Sequence, residues 1–157
     1  MSWRKGEAKS SKRSIFRRRG LSQWCANSCE RIICDGKRIV LASSAKEDAL
    51  VSYKRIAGIE DLVREETAAG DAERSKPHPD IFEAALRRLG CVAPHEAIVV
   101  GDTPYDAEAA NEVGLRTIGL LSGGWSAEEL HAAGCIATYC TAADLLARYD
   151  EPPLVEL

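Results

Sequence analysis

The sequence has no apolar run approaching the length of a membrane span. It has no CxxC pair among its six cysteines and no secretory signal with an apolar centre. No repeat or low-complexity tract organises it. These absences leave a soluble chain in a reduced cytoplasmic setting as the simplest expectation, with no membrane partner. The three histidines, His78, His95 and His131, show no metal-ligand spacing, so structural or solvated roles are expected of them.

The 157 residues suit one modest domain, and 45% hydrophobic with 29% charged residues is ordinary for a globular chain. The net charge of −3 hides an asymmetry, because residues 1–20 carry eight Lys/Arg against one acidic residue. That segment has only Trp3, Ile15 and Phe16 as large apolar residues, too few to offset the entropy of ordering it. A disordered basic arm over 1–20 is expected, followed by a core domain over 21–150 and a tail over 151–157. The arm is the single hint of a nucleic-acid or anionic-surface contact; a solvated tail or a miscoded start is the plainer reading.

Hydrophobic spacing predicts a short helix within Leu21–Asp35, closed by Gly36. Arg38-Ile-Val-Leu-Ala42 reads as a strand, and Ser44-Ala-Lys-Glu47 as the capping box of a helix reaching Ala57. Downstream come a helix over Asp80–Leu89, a strand over Ala97–Val100, a helix over Tyr105–Val113 and a strand over Arg116–Gly119. A helix opened by Ser126, a strand over Cys135–Tyr139 and a helix after Thr141 complete the series. Strands alternating with helices predict an α/β fold, a Rossmann-like parallel sheet covered on both faces, with ligands at the carboxyl ends of the strands.

Three segments carry chemistry. Gly101-Asp102-Thr103-Pro104-Tyr105-Asp106 follows an apolar strand and places two carboxylates four apart, which suits a hard cation such as Mg²⁺. The plainer alternative is a capping Asp102 and a solvated Asp106. Ser75-Lys76-Pro77-His78-Pro79-Asp80 sets a lysine before two prolines, expected to hold the segment extended so that the ammonium can be aimed at phosphate. Ser43, at the carboxyl end of its strand, could cradle phosphate together with the amides of the next helix.

In this order and with these spacings, the three segments resemble the haloacid dehalogenase superfamily, in particular its phosphoglycolate-phosphatase-like and β-phosphoglucomutase-like members. The resemblance covers about Gly36 to Asp150. It implies a Mg²⁺-dependent phosphomonoester hydrolase acting on a small phosphorylated metabolite. Ser43, Ser44 and Lys76 would hold the transferring phosphoryl group, and Asp102, with Asp106 as second candidate, would hold Mg²⁺.

The resemblance also implies parts that are absent. The family's nucleophile motif is an Asp-x-Asp at the end of a hydrophobic strand, and nothing in residues 1–42 reads so. Asp35 follows Ile32-Ile33-Cys34, but only Gly36-Lys37 separates it from the next strand, too short for a parallel crossover. It is therefore read as a helix-end residue. The expected sheet is incomplete: its central first strand, between Arg38–Ala42 and Ala97–Val100, and the specificity cap are missing. One expectation is a truncated or frame-shifted member with impaired or no turnover. The alternatives are a non-catalytic phosphate- or partner-binding module, or a half-enzyme completed in trans.

Overall fold

In the computed structural model, which describes residues 25–90 and 92–154, the first helix, α1, covers 25–34. Gly36 closes it with a left-handed φ of 77°. Asp35 accepts a hydrogen bond from Arg31 one turn back at 2.6 Å, so it is the helix-end residue expected of it. This helix is docked at several points. Ser28 is buried and donates to the Ala142 carbonyl, Arg31 bonds Asp150, and its guanidinium lies 4.8 Å from the Tyr149 ring centroid. The basic arm expected over 1–20 lies outside the described residues.

Then follow β1 (Val40–Ala42), α2 (Glu47–Ala57), β2 (Glu65–Thr67), α3 (Asp80–Arg88), β3 (Ile98–Gly101) and α4 (Pro104–Glu112). β4 (Arg116–Leu120), α5 (Ala127–Ala132), β5 (Cys135–Tyr139) and α6 (Ala142–Ala147) complete the order. Each strand pairing is parallel, as a strand-helix alternation requires. The strands nevertheless fall into two sheets rather than one, β1-β2 and β3-β4-β5.

β2 is an element the sequence did not announce. Its residues Glu65 and Glu66 are neutralised by Arg38 and by Lys54, the latter at 2.6 Å, which lets an acidic segment lie against β1. The helix start at Ser44 also differs from expectation. α2 begins at Glu47 with Lys46 as an N-cap that makes no side-chain bond, while Ser43 Oγ accepts from the Ala45 amide instead. The serine turn at Ser43 and the extended backbone at Lys46 place the helix start two residues past Ser44, so the Ser44–Glu47 capping box does not form.

One helix layer serves both sheets. Ile81 and Phe82 of α3 and Ala109 and Ala110 of α4 form a buried cluster with Leu115, and Ala42 of β1 and Val99 of β3 both pack against it. The opposite face of the three-stranded sheet buries Ile118, Tyr139, Leu145, Tyr149 and Leu154, with Ile32 of α1 packed on them. The packed core therefore runs on to Leu154, past the expected boundary at 150. Full burial of one such aliphatic side chain contributes about 1.5–3 kcal/mol, so the C-terminal segment and α1 fix each other. Among the described residues no helix is long and apolar enough to cross a membrane.

Candidate active site

The carboxyl end of β3 turns into α4 through Asp102 and Thr103. Thr103 is the N-cap: its hydroxyl accepts from the Asp106 amide at 3.3 Å and donates to Asp106 Oδ2 at 2.9 Å. The same Oδ2 accepts from the Asp102 and Thr103 amides, at 3.2 and 3.1 Å. Asp106 is thereby drawn inward and only 5% exposed. Gly101 makes this possible, because a Cβ there would lie 2.5 Å from Asp106 Cβ.

Asp106 Oδ1 receives Lys76 Nζ at 2.5 Å, and Lys76 Nζ also lies 5.3 Å from the Phe82 ring centroid. Lys76 thus points to Asp106, from a backbone unlike the one expected. His78 N–H bonds the Ser75 carbonyl at 3.1 Å, so Pro77 sits in a tight turn, with the Lys76–Pro77 peptide cis, and Pro79 is the N-cap of α3, in place of one extended segment. The turn spends Ser75 and His78 on each other and leaves the lysine stem free to reach α4.

Asp102 is exposed, and among the described residues its carboxylate takes no hydrogen bond or ion pair. Its main chain is held from the other side, since a Cβ on Gly123 would lie 2.0 Å from the Asp102 carbonyl oxygen. Beside it, Tyr105 and Trp125 meet edge to face with centroids 6.2 Å apart. Of the two expected metal carboxylates, then, one is open and the other already engaged by four donors.

Ser43 follows directly on β1, its amide bonded to the Thr67 carbonyl at 3.1 Å and its hydroxyl to Ala45. Ser44 is exposed and lines one small depression with Arg74 and Ser75, next to Lys76. The Ser43–Ser44 segment therefore borders the Ser75–Asp80 segment through Ser44 and Ser75, and the latter is tied to the Gly101–Asp106 segment through Lys76 and Asp106. The larger cavity, about 340 Å³, lies elsewhere, among Asp71, Glu73, Arg74, Asp80, Glu83 and Arg87. No site residue expected from the sequence lines it.

A family profile for haloacid dehalogenase-like hydrolases matches residues 32–114, more than half of the chain and all three segments. The chain belongs to the haloacid dehalogenase-like hydrolases. Pyrophosphatase PpaX of Bacillus pumilus (strain SAFR-032) is 29% identical over 91 residues, covering 58% of this chain and 40% of that protein. A hydrolase structure from Pseudomonas syringae superposes with a TM-score of 0.74 at 28% identity, over 81% of this chain and 58% of that one. A β-phosphoglucomutase from Clostridium difficile shares the fold with a TM-score of 0.72 at 20% identity, over 90% and 62% of the two chains. The chain thus spans less than two thirds of the length of each.

Several site residues escaped the sequence reading. Thr103, Gly123 and Phe82 shape this haloacid dehalogenase-like centre without having been assigned a role from the sequence. Thr103 was within reach: Thr103-Pro-Tyr-Asp106 has the spacing of a capping box with proline at the first helical position. Gly123 and Phe82 reach the site only through tertiary packing.

Proposed function

We propose that this chain carries the phosphate- and Mg²⁺-binding part of a phosphomonoester hydrolase whose substrate is a small phosphorylated metabolite. The observation that carries the reading is the Lys76–Asp106 pair, which ties the phosphate lysine to the strand-end loop of the open Asp102 carboxylate. Lys76, with Ser43 and Ser44, binds the phosphoryl oxygens, and Asp102 holds the cation. Asp106 positions Lys76 and the loop amides, a narrower role than the metal ligand the sequence allowed. Among the described residues no three His, Cys, Asp or Glu side chains gather into a cage. One open carboxylate fits Mg²⁺, which keeps most of its waters and is completed by substrate phosphate. When bound, it would offset charge on the phosphoryl oxygens.

The 157 residues contain no Asp-x-Asp, so the carboxylate attack of the family is not supplied from that motif here. This chain alone retains binding and electrostatic positioning, and its turnover is impaired or absent. The five described cysteines are free thiols. The test is hydrolysis of p-nitrophenyl phosphate with and without Mg²⁺, run beside Asp102→Ala. The expected result is turnover near background. Mg²⁺-dependent turnover of about 1 s⁻¹ or faster, abolished by the substitution, would establish a complete enzyme instead.

A further inference from the structure

Of the four tyrosines, Tyr139 and Tyr149 are buried in the core, whereas Tyr53 on α2 and Tyr105 on α4 are exposed, Tyr105 by 49%. Among the described residues, Tyr105 alone of the exposed two meets another aromatic ring, that of Trp125. The start of α4 does not need a large ring there. Thr103 caps the helix, Pro104 opens its first turn and Asp106 returns the capping bond to the Thr103 amide. Among the described residues the Tyr105 hydroxyl has no hydrogen-bond partner. Neither capping nor core packing therefore accounts for this side chain.

Trp125 is the fixed half of the pair. It packs against the buried cluster of Ala107, Leu130 and Cys135. The chain on either side of it is pinned as well: Gly123 lies against the Asp102 carbonyl, and Ser126 caps α5. The two rings meet at an interplanar angle of 84°, so the contact steadies Tyr105 and leaves at least one face of its ring uncovered by Trp125. Both rings belong to segments that hold Asp102. Tyr105 follows Asp102 by three residues, at most about 11 Å of extended chain, and Trp125 stands two residues past the glycine that touches the Asp102 main chain. A phosphoryl group bound by Lys76 and the Asp102 cation thus sits beside a preordered aromatic pair, which needs no rearrangement to stack a flat group.

We propose that Tyr105, braced by Trp125, is the platform for the alcohol side of the substrate, so that the ester bound here carries a planar aromatic ring. The proposal rests on the phosphate reading above and deepens it by naming the substrate class. Stacking on an exposed aromatic side chain is worth about fivefold or more in affinity and tolerates any ring with a π-face. The ring can stand directly on the ester oxygen, as in an aryl phosphate, or a sugar away, as in a nucleoside monophosphate.

The test measures dissociation constants calorimetrically for the full chain with Mg²⁺, at about pH 8, where the esters are dianions. Phenyl phosphate is compared with methyl phosphate, and uridine 5′-monophosphate with ribose 5-phosphate. The ring member of at least one pair is expected to bind at least about fivefold more tightly. A gain in the first pair assigns an aryl ester, and a gain in the second assigns a nucleotide. Tyr105→Ala and Tyr105→Leu should bring that ratio down to about one, while Tyr105→Phe should keep it, because the ring and not the hydroxyl does the stacking. Ratios near one in both pairs, a ratio that survives Tyr105→Leu, or cyclohexyl phosphate bound as tightly as the preferred ring ester would overturn the proposal. Binding of inorganic phosphate with both ratios near one sinks the aromatic platform alone, whereas binding of neither phosphate nor any ester sinks the phosphate reading and the platform together.

Discussion

Lys76 Nζ lies 2.5 Å from Asp106 Oδ1, and only 20% and 8% of the two side chains is accessible to solvent. The pair joins the turn before α3 to the first turn of α4, so it belongs to the fold as well as to the site. Removing one partner of such a pair leaves a charge or several donors without compensation. Asp106→Ala is expected to destabilise the chain by about 3–5 kcal/mol, and Lys76→Met by less. A double-mutant cycle by urea unfolding should give a coupling above about 1 kcal/mol; additive losses would mean that the two residues act separately.

Gly101 and Gly123 hold the strand-end loop from opposite sides. At Gly101→Ala the new methyl meets the side chain of Asp106, and at Gly123→Ala it meets the Asp102 carbonyl itself. Backbone cannot move aside as a side chain can, so both substitutions should cost about 1–3 kcal/mol, Gly123→Ala the more. Thermal unfolding of the two variants checks the order.

Asp80 opens α3 and takes hydrogen bonds from the Arg74 guanidinium and the Arg74 amide, chiefly the former, which hold its carboxyl below the usual carboxylate range. A carboxyl depressed in the folded state contributes stability that is present above its unfolded pKa and lost as pH falls through the folded one. Denaturant midpoints measured from pH 6 downward should therefore drop below about pH 4, and Asp80→Asn should flatten that drop. A pH profile unchanged in the variant would show that the bond does not couple to folding.

Burial, with lesser contributions from Cys25 and Glu30, pushes the Cys29 thiol up to about 11. At pH 8 only about a thousandth of it is thiolate, whereas Cys34 and Cys140 are exposed. Alkylation followed by mass spectrometry should modify Cys34 and Cys140 before Cys29. Early labelling of Cys29 would mean that α1 is not docked as described.

Local signals were strong enough to read most of the helices and four of the five strands. Each helix stop at Gly36, Gly58, Gly90, Gly114 and Gly134 has a positive φ, and Ser126 and Thr141 cap the helices they precede. β2 was not legible because Arg64-Glu-Glu-Thr67 has no apolar alternation; its strand character comes from pairing with β1 and from Arg38 and Lys54. The turn at Lys76–His78 and the short turn at Ser43 were misread for one reason: side-chain and main-chain bonds over two or three residues override proline stiffness and capping patterns. The four candidate residues Ser43, Lys76, Asp102 and Asp106 were named from the resemblance, but that Asp106 is engaged while Asp102 is open is a matter of three-dimensional donors. The split into two sheets matches the expected missing strand, which no local propensity encodes.

The most direct measurement of the central claim is calorimetric titration of inorganic phosphate into the full chain, with and without Mg²⁺, for the native protein and Asp102→Ala. The account predicts phosphate binding that Mg²⁺ strengthens at least tenfold in the native chain, with that gain lost in Asp102→Ala. Phosphate binding indifferent to both Mg²⁺ and the substitution, or no phosphate binding at all, would contradict it.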